Sequence, residues 1–166
     1  MAGSSDPEIR AVATAVLAAC QARGLMVATA ESCTGGLVAG ALTEIPGSSA
    51  VVERGFVTYS NAAKSEMLGV DPAVIEAHGA VSEPVARAMA EGALAQSQAD
   101  LAVAVTGIAG PGGATAHKPE GLVHFACAAK GAATRARRIE YGALGRDAVR
   151  RASVVQALRL LAEAAG

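Results

Sequence analysis

Hydrophobic positions along the chain follow two spacings, one typical of strands and one typical of helices. Short runs rich in apolar and β-branched residues predict strands at 25–30, 51–59, 101–105, 121–129 and 135–141. Helical spacing between start and stop signals predicts helices at 7–24, 37–45, 61–68, 71–79, 82–98 and 145–162. Because helices and strands alternate, we expect an α/β fold over residues 1–166, a single three-layer domain with helices on both faces of a mixed β-sheet. Residues 1–5 are expected to form a loose lead-in.

Three of the predicted strands have features that bear on their place in the sheet. The run LAVAV at 101–105 is continuously apolar, as expected for a central strand covered on both faces. Arginines alternate with apolar residues in 135–141, which is typical of an edge strand, and Lys130-Gly131 suits a hairpin turn between it and 121–129. Gly55, inside the 51–59 strand, indicates a bulge or a close contact.

Composition and charge narrow the range of partners. The chain has 166 residues, a size that suits one hydrophobic core, and 52% of them are hydrophobic. A net charge of −1 offers no basic excess to a nucleic-acid backbone, and 2% aromatic residues leave little surface on which bases stack. We therefore expect no nucleic-acid partner.

Cysteine usage and the N-terminal residues bear on the cellular compartment. Cys20, Cys33 and Cys127 form an odd, widely spaced set without a CxxC pair, which is typical of a reduced intracellular protein. The first residues lack the basic and apolar regions of a signal peptide, and the apolar runs are too short to span a membrane. We expect a cytoplasmic location and no membrane partner.

Two glycine-containing turns follow predicted buried strands. The first, AESCTGG at 30–36, leads into a helix, whose unpaired N–H groups favour an anion or an oxyanion that forms during acyl transfer. Alternatively, Ser32 or Thr34 simply caps that helix. The second, TGIAGPGG at 106–113, is by composition either a phosphate-binding loop or a flexible connection.

Two basic residues lie near predicted helix starts, where a cation is unfavourable. Lys64 falls in the first two turns of the helix that follows Tyr59. That position favours a lowered pKa, so Lys64 is either a general base for a serine or a solvated surface lysine. Arg146 opens the last helix and is either a clamp for a phosphate or carboxylate or the partner of a neighbouring acid such as Asp147.

Metal and triad chemistry have little support in the sequence. His78, His117 and His124 stand apart, without HExxH or paired Cys/His spacing. Ser32, His124 and several acids would suffice for a Ser-His-Asp triad, but their spacing does not favour one and no GxSxG elbow is present. We expect neither a metal nor a cofactor.

Several motifs together resemble the CinA C-terminal domain family, also known as PncC or nicotinamide-nucleotide amidohydrolase. They are AESCTGG at 30–36, PGSS at 46–49, GFVTYSNAAK at 55–64, LGV at 68–70, GAVS at 79–82, VTGIAGPGG at 105–113 and KPEG at 118–121. Their order and spacing agree with the family from about the first helix to the last. One such motif would be a weak signal, whereas this many in order is specific.

The resemblance implies a metal-free amidohydrolase that converts nicotinamide mononucleotide to nicotinate mononucleotide and ammonia in pyridine nucleotide recycling. It implies that Ser32 is the nucleophile, Lys64 the general base and Tyr59 a further catalytic residue. The residues implied to bind substrate or oxyanion are Cys33, Thr34, Gly35, Gly36, Asn61, Thr106, Gly107, Gly110, Gly112, Gly113 and Arg146. Cys33 is the alternative nucleophile, ranked lower because a thiol has less need of a lysine base.

The sequence departs from the family pattern in two places, and other functions stay open. Members often carry an additional N-terminal domain, for which we expect no room in 166 residues. Glu120 stands where an apolar residue is expected, which puts the shape of the 114–120 loop in question. The alternatives are a non-catalytic nucleotide-sensing or competence/DNA-damage accessory module and an amidase for a different pyridine or nucleotide amide. Small-residue surfaces and the resemblance favour a homo-oligomer.

Overall fold

The computed structural model describes residues 6–166, so the expected lead-in at 1–5 lies outside the described residues. In this range five strands form one sheet in the order β2-β1-β3-β4-β5. The strands are β1 (Val27–Glu31), β2 (Val52–Val57), β3 (Leu101–Gly107), β4 (Leu122–Ala129) and β5 (Arg135–Glu140). β1 runs parallel to β2 and β3, whereas β4 pairs antiparallel with both β3 and β5. The mixed sheet, the central place of 101–105 and the β4–β5 hairpin with β5 at an edge are confirmed.

Six α-helices flank the sheet within residues 6–166, and most of them begin where a capping side chain stands. They are α1 (Pro7–Arg23), α2 (Leu37–Thr43), α3 (Asn61–Leu68), α4 (Pro72–His78), α5 (Glu83–Ala95) and α6 (Arg146–Ala165). The side-chain oxygens of Asp6, Ser60, Asp71 and Ser82 cap α1, α3, α4 and α5 respectively. None of the helices in the described range is both long and apolar enough to cross a membrane.

The two faces of the sheet carry side chains of different size. Large side chains, such as those of Val103, Val105 and Phe125, pack on one face with α1, α2 and α6. Alanines, such as Ala102 and Ala104, pack on the other face with α3, α4 and α5. Short alanine side chains let the second helical layer approach the strands closely. The three-layer α/β architecture expected from the alternation of elements is thus confirmed.

The carboxyl ends of the parallel strands β1, β2 and β3 meet at one edge of the sheet, where α/β folds usually place their sites. Ser32 follows β1, and its N–H donates to the Val105 carbonyl of β3. Beyond β2, the Thr58 N–H donates to the Glu31 carbonyl before the chain turns into α3. The segments that carry the predicted serine and lysine therefore start from neighbouring strands.

Gly55 makes the close contact that its position in the strand predicted, and the bulge lies elsewhere. The β1–β2 register shifts between Val27↔Val52 and Ala28↔Arg54, which leaves Glu53 as the extra residue. A Cβ atom on Gly55 would lie 2.7 Å from Thr29 Oγ1. A larger residue at position 55 would therefore displace the Thr29 side chain of the neighbouring strand.

Candidate active site

Ser32 and Lys64, 32 residues apart in the chain, are brought together at the carboxyl edge of the sheet. Lys64 Nζ lies 3.0 Å from Ser32 Oγ and donates at 3.0 Å to the Thr58 carbonyl oxygen. Ser60 caps α3 by accepting from the Ala63 N–H, which sets the start of the helix so that Lys64 lies at its fourth position and faces inward. This geometry is that of a nucleophile beside a base.

Lys64 is 2% exposed, so the interpretation of it as a solvated surface lysine is wrong. Burial lowers the pKa of Lys64 below its ordinary value of 10.5, and the nearby Cys33 acts weakly in the opposite direction. A buried ammonium is unfavourable when no carboxylate balances it. Across residues 6–166 no carboxylate forms an ion pair with this lysine, and its partners are a hydroxyl and a carbonyl. The environment therefore favours the neutral amine that a general base requires.

The turn after β1 is built around the buried carboxylate of Glu31, whose structural role the sequence did not indicate. This carboxylate accepts hydrogen bonds from the Val38 N–H at 2.8 Å, the Ala39 N–H at 3.0 Å and the Thr34 hydroxyl at 2.6 Å. Gly36, not Ser32 or Thr34, precedes the first residue of α2, and it makes no side-chain capping bond. The capping interpretation is therefore wrong for both hydroxyls, and Glu31 itself occupies the helix N–H groups that were predicted to receive an anion.

Arg150 of α6 holds the outer side of the same turn, and it too was missed from the sequence. Its guanidinium donates to the Cys33 carbonyl at 3.2 Å and to the Thr34 carbonyl at 3.5 Å. The peptide between Cys33 and Thr34 is trans, so the Thr34 N–H points away from Arg150. That N–H has no hydrogen-bond partner within residues 6–166. The only sequence signal for Arg150 is its spacing of four residues from Arg146 on one helix face.

Cys33 is placed beside Ser32 but in a different environment. Its side chain is 6% exposed. Burial raises the pKa of the Cys33 thiol to about 11, a change that Glu31 reinforces and Arg150 and Lys64 oppose. A nucleophilic cysteine needs a lowered pKa. The environment therefore favours Ser32 over Cys33 as the nucleophile.

Tyr59, Arg146 and Gly110 form a chain of contacts, and Tyr59 directly follows Thr58, whose carbonyl accepts from Lys64. Arg146 Nη2 donates to the Tyr59 hydroxyl oxygen at 2.7 Å, and Nη1 donates to the Gly110 carbonyl at 3.1 Å. Asp147 forms no ion pair with Arg146 in the described part of the chain, so the pairing suggested as the alternative is absent there. A guanidinium has five N–H donors, and two bonds leave others free for an anion.

The remaining predicted residues lie on the 106–113 segment and on α3. The Thr106 hydroxyl donates to the Ala80 carbonyl at 2.9 Å and lies on the strand next to Ser32. Gly107 packs against β4, where an added Cβ would lie 2.8 Å from the Val123 side chain. Gly110, Gly112 and Gly113 have positive φ angles, and the Gly112 N–H donates to Glu120. Asn61 is exposed at the start of α3, and its contact with a substrate stays a prediction.

No histidine side chain forms a hydrogen bond with these residues in the part of the chain that the structure describes. His124 lies on β4 in register with Thr106, and its Nδ1 is buried without a hydrogen-bond partner. Burial lowers the pKa of His124, and the charges of Arg138 and Lys118 add to that effect. In residues 6–166 no group of three or more His, Cys, Asp or Glu side chains converges as a metal site would require.

Comparison with known proteins agrees with the motifs. A profile of the CinA C-terminal domain matches residues 9–165. The chain is 51% identical over 158 residues to the nicotinamide-nucleotide amidohydrolase PncC of Escherichia coli K12, covering 95% of this chain and 94% of that protein. It is 57% identical over 143 residues to a CinA-like protein of Mycolicibacterium vanbaalenii, covering 85% of this chain and 33% of that protein.

Solved structures show the same fold, and many sequence relatives are longer. The competence/damage inducible protein CihA of Agrobacterium tumefaciens matches with a TM-score of 0.92 and 54% identity over 94% of each chain. A CinA superfamily protein of Escherichia coli matches with a TM-score of 0.89 and 35% identity over 95% of this chain and 91% of that one. The chain spans between 23% and 38% of the length of the CinA-like and competence-damage relatives that it matches. With a profile match over 9–165 and a full-length relative at 51% identity, the chain belongs to the CinA C-terminal domain family.

Proposed function

We propose that this protein hydrolyses the carboxamide of nicotinamide mononucleotide, giving nicotinate mononucleotide and ammonia. The observation that carries the proposal is the 3.0 Å approach of Lys64 Nζ to Ser32 Oγ in a site where burial lowers the pKa of Lys64. Family membership adds the substrate, because a relative 51% identical over 95% of this chain is named a nicotinamide-nucleotide amidohydrolase.

In the first half of the reaction, Ser32 Oγ attacks the amide carbon while Lys64 Nζ takes the hydroxyl proton. The lysine is suited to this step because a neutral amine can donate to the Thr58 carbonyl and still accept the proton of the serine hydroxyl, whose oxygen lies 3.0 Å away. Lys64 then returns the proton to the amide nitrogen of the tetrahedral intermediate. The C–N bond breaks, and ammonia leaves. The product of this half-reaction is an ester between Ser32 and the nicotinate carbonyl.

In the second half, water attacks the ester carbon as Lys64 takes a proton from it. The C–O bond to Ser32 breaks, Lys64 returns the proton to Oγ, and nicotinate mononucleotide leaves. The negative oxygen of both intermediates needs N–H donors. Our candidates are the Cys33 N–H and the unpaired Thr34 N–H, which points away from Arg150 of α6. Thr106 and Arg146 are our candidates for binding the ring, ribose or phosphate, and Tyr59 is oriented by its bond from Arg146.

The test is ammonia release from nicotinamide mononucleotide, with the product identified by chromatography. We expect turnover by the wild type, a loss of at least about a thousandfold in kcat for Ser32→Ala, and little change for Cys33→Ala. The matched control is Ser65→Ala, which changes a half-buried serine of α3 whose hydroxyl forms no hydrogen bond within residues 6–166. Turnover that survives Ser32→Ala but not Cys33→Ala would assign the nucleophile to the thiol.

Absence of turnover by folded wild-type protein would refute the proposal that nicotinamide mononucleotide is the substrate. Other pyridine and nucleotide amides are then the next substrates to assay, since the Ser32–Lys64 pair identifies the chemistry more firmly than the amide. If all of them fail, the alternative of an accessory nucleotide-sensing module gains support. Assembly into a homo-oligomer stays a prediction, which the molecular mass in solution tests.

A further inference from the structure

The Glu120 side chain contacts the glycine-rich loop at 107–113, in a position that a bound anion would take. Its Oε1 accepts a hydrogen bond from the Gly112 N–H at 2.7 Å. A Cβ on Gly110 would lie 2.9 Å from Oε2 and 3.2 Å from Cδ of the same side chain. The carboxyl group therefore rests directly on the loop backbone, and it engages an N–H group of the kind that phosphate-binding loops offer to phosphate.

The same loop also contacts Arg146. Arg146 donates to the Gly110 carbonyl and to the Tyr59 hydroxyl. Three glycines with positive φ, at 110, 112 and 113, make the loop backbone easily deformed unless other groups hold it. In the described part of the chain, two side chains form hydrogen bonds with this backbone: Glu120 at the Gly112 N–H and Arg146 at the Gly110 carbonyl.

The charges of Arg146 and Glu120 indicate which of the two can receive an anion. No carboxylate within residues 6–166 forms an ion pair with Arg146, although this arginine stands at the first position of α6. A cation there is stabilised by an anion from outside the chain. An anion at the Gly112 N–H, by contrast, would meet the negative charge of Glu120.

We propose that Glu120 is a positioning residue that acts as the built-in anion of the 107–113 loop. By occupying the Gly112 N–H it fixes the Gly110 carbonyl and, through that carbonyl, the guanidinium of Arg146. The phosphate of the substrate is then received by Arg146 and not by the loop N–H groups. This inference rests on the proposed function for the identity of the substrate, but its chemistry applies to any ligand that carries a phosphate.

Kinetic constants for nicotinamide mononucleotide test the positioning role. Glu120→Ala removes the bond to Gly112, and we expect KM to rise about tenfold while kcat changes by less than about twofold. Glu120→Gln keeps an oxygen that accepts from the Gly112 N–H, so its KM should stay within about twofold of the wild type. Glu76→Ala, an exposed glutamate of α4, is the control. An unchanged KM for Glu120→Ala, or an equal rise for Glu120→Gln, would overturn the proposal.

Binding of inorganic phosphate gives a second readout that needs no turnover. In ¹⁵N-labelled wild type we expect phosphate to shift the Arg146 side-chain N–H signal and to leave the Gly112 amide signal unchanged. In Glu120→Ala the Gly112 amide should shift as well, because its N–H is then free. A wild-type response at Gly112 as strong as that at Arg146, or none at Arg146, contradicts the proposal. These outcomes stand whether or not the protein deamidates nicotinamide mononucleotide, so the two hypotheses fail separately.

Discussion

The packing of α5 against α3 offers a direct test of how the fold positions Lys64. A Cβ atom on Gly92 of α5 would lie 1.9 Å from the Leu68 carbonyl oxygen and 2.9 Å from its carbon. Ordinary contact begins near 3.4 Å, so Gly92→Ala requires the helices to separate by about 1.5 Å. The atoms in conflict belong to the backbone, so no side-chain rotation relieves the overlap. Because α3 carries Lys64, the lysine amine must move with the helix.

The expected effects on stability and on rate can both be given a magnitude. Overpacking of this kind destabilises by about 1–3 kcal/mol, which lowers Tm by about 2–12 °C in a protein of this size. A displacement of about 1 Å between catalytic groups reduces rate about a hundredfold. The matched control is Gly40→Ala in α2, where an added Cβ meets no atom within 4 Å. That substitution should stabilise by about 0.5–1 kcal/mol through helix propensity and leave kcat unchanged.

The assay combines thermal unfolding followed by circular dichroism with ammonia release at a temperature where both variants are folded. We expect Gly92→Ala to be less stable and slower than the wild type, and Gly40→Ala to be at least as stable and equally fast. If Gly92→Ala matched Gly40→Ala in Tm and in kcat, the close contact would have no consequence for the position of Lys64. A loss of stability with full activity would show that the site tolerates the shift of α3.

Two further substitutions test the electrostatics of the site. Lys64→Met should abolish turnover. The free energy of unfolding of the wild type, relative to that of this variant, should rise with pH between the lowered pKa of Lys64 and 10.5, because in that window the unfolded lysine binds a proton that the folded one has lost. Denaturant unfolding at several pH values measures this difference in free energy, and a difference that does not change with pH contradicts the prediction. Arg150→Lys loses the contact with both the Cys33 and the Thr34 carbonyls. It should lower kcat about tenfold and keep Tm within about 3 °C of the wild-type value. An unchanged kcat would show that Arg150 is not needed to support the turn.

The architecture followed from the sequence because its signals are local. Asp6, Ser60, Asp71 and Ser82 each precede a helix and cap it in the structure. The apolar run at 101–105 needs cover on both faces and becomes the central strand. Element ends were less accurate: β2 stops at Val57, because the chain must then leave the sheet to place Lys64 under Ser32.

The composition of the site, in contrast, depends on contacts between distant segments. From the local residues alone a surface position was the more ordinary explanation of Lys64, since its burial depends on the docking of α3 against α5. Arg150 lies more than a hundred residues from the carbonyls that it holds, and no local pattern marks that pairing. Glu120 was noticed only as a departure from a motif, and its contact with Gly112, eight positions earlier in the chain, has no periodic signature.

Glu31 and Lys64 lie in the same site, but the buried carboxylate forms no ion pair with the amine in the described part of the chain. A glutamate that paired with Lys64 would raise the pKa of the amine and keep it protonated. Here three donors, the N–H groups of Val38 and Ala39 and the Thr34 hydroxyl, satisfy the carboxylate instead. Lys64 is left with uncharged partners, and burial governs its pKa. By binding Glu31, the N-terminus of α2 thus leaves Lys64 in the uncharged environment that its proposed role as a general base requires.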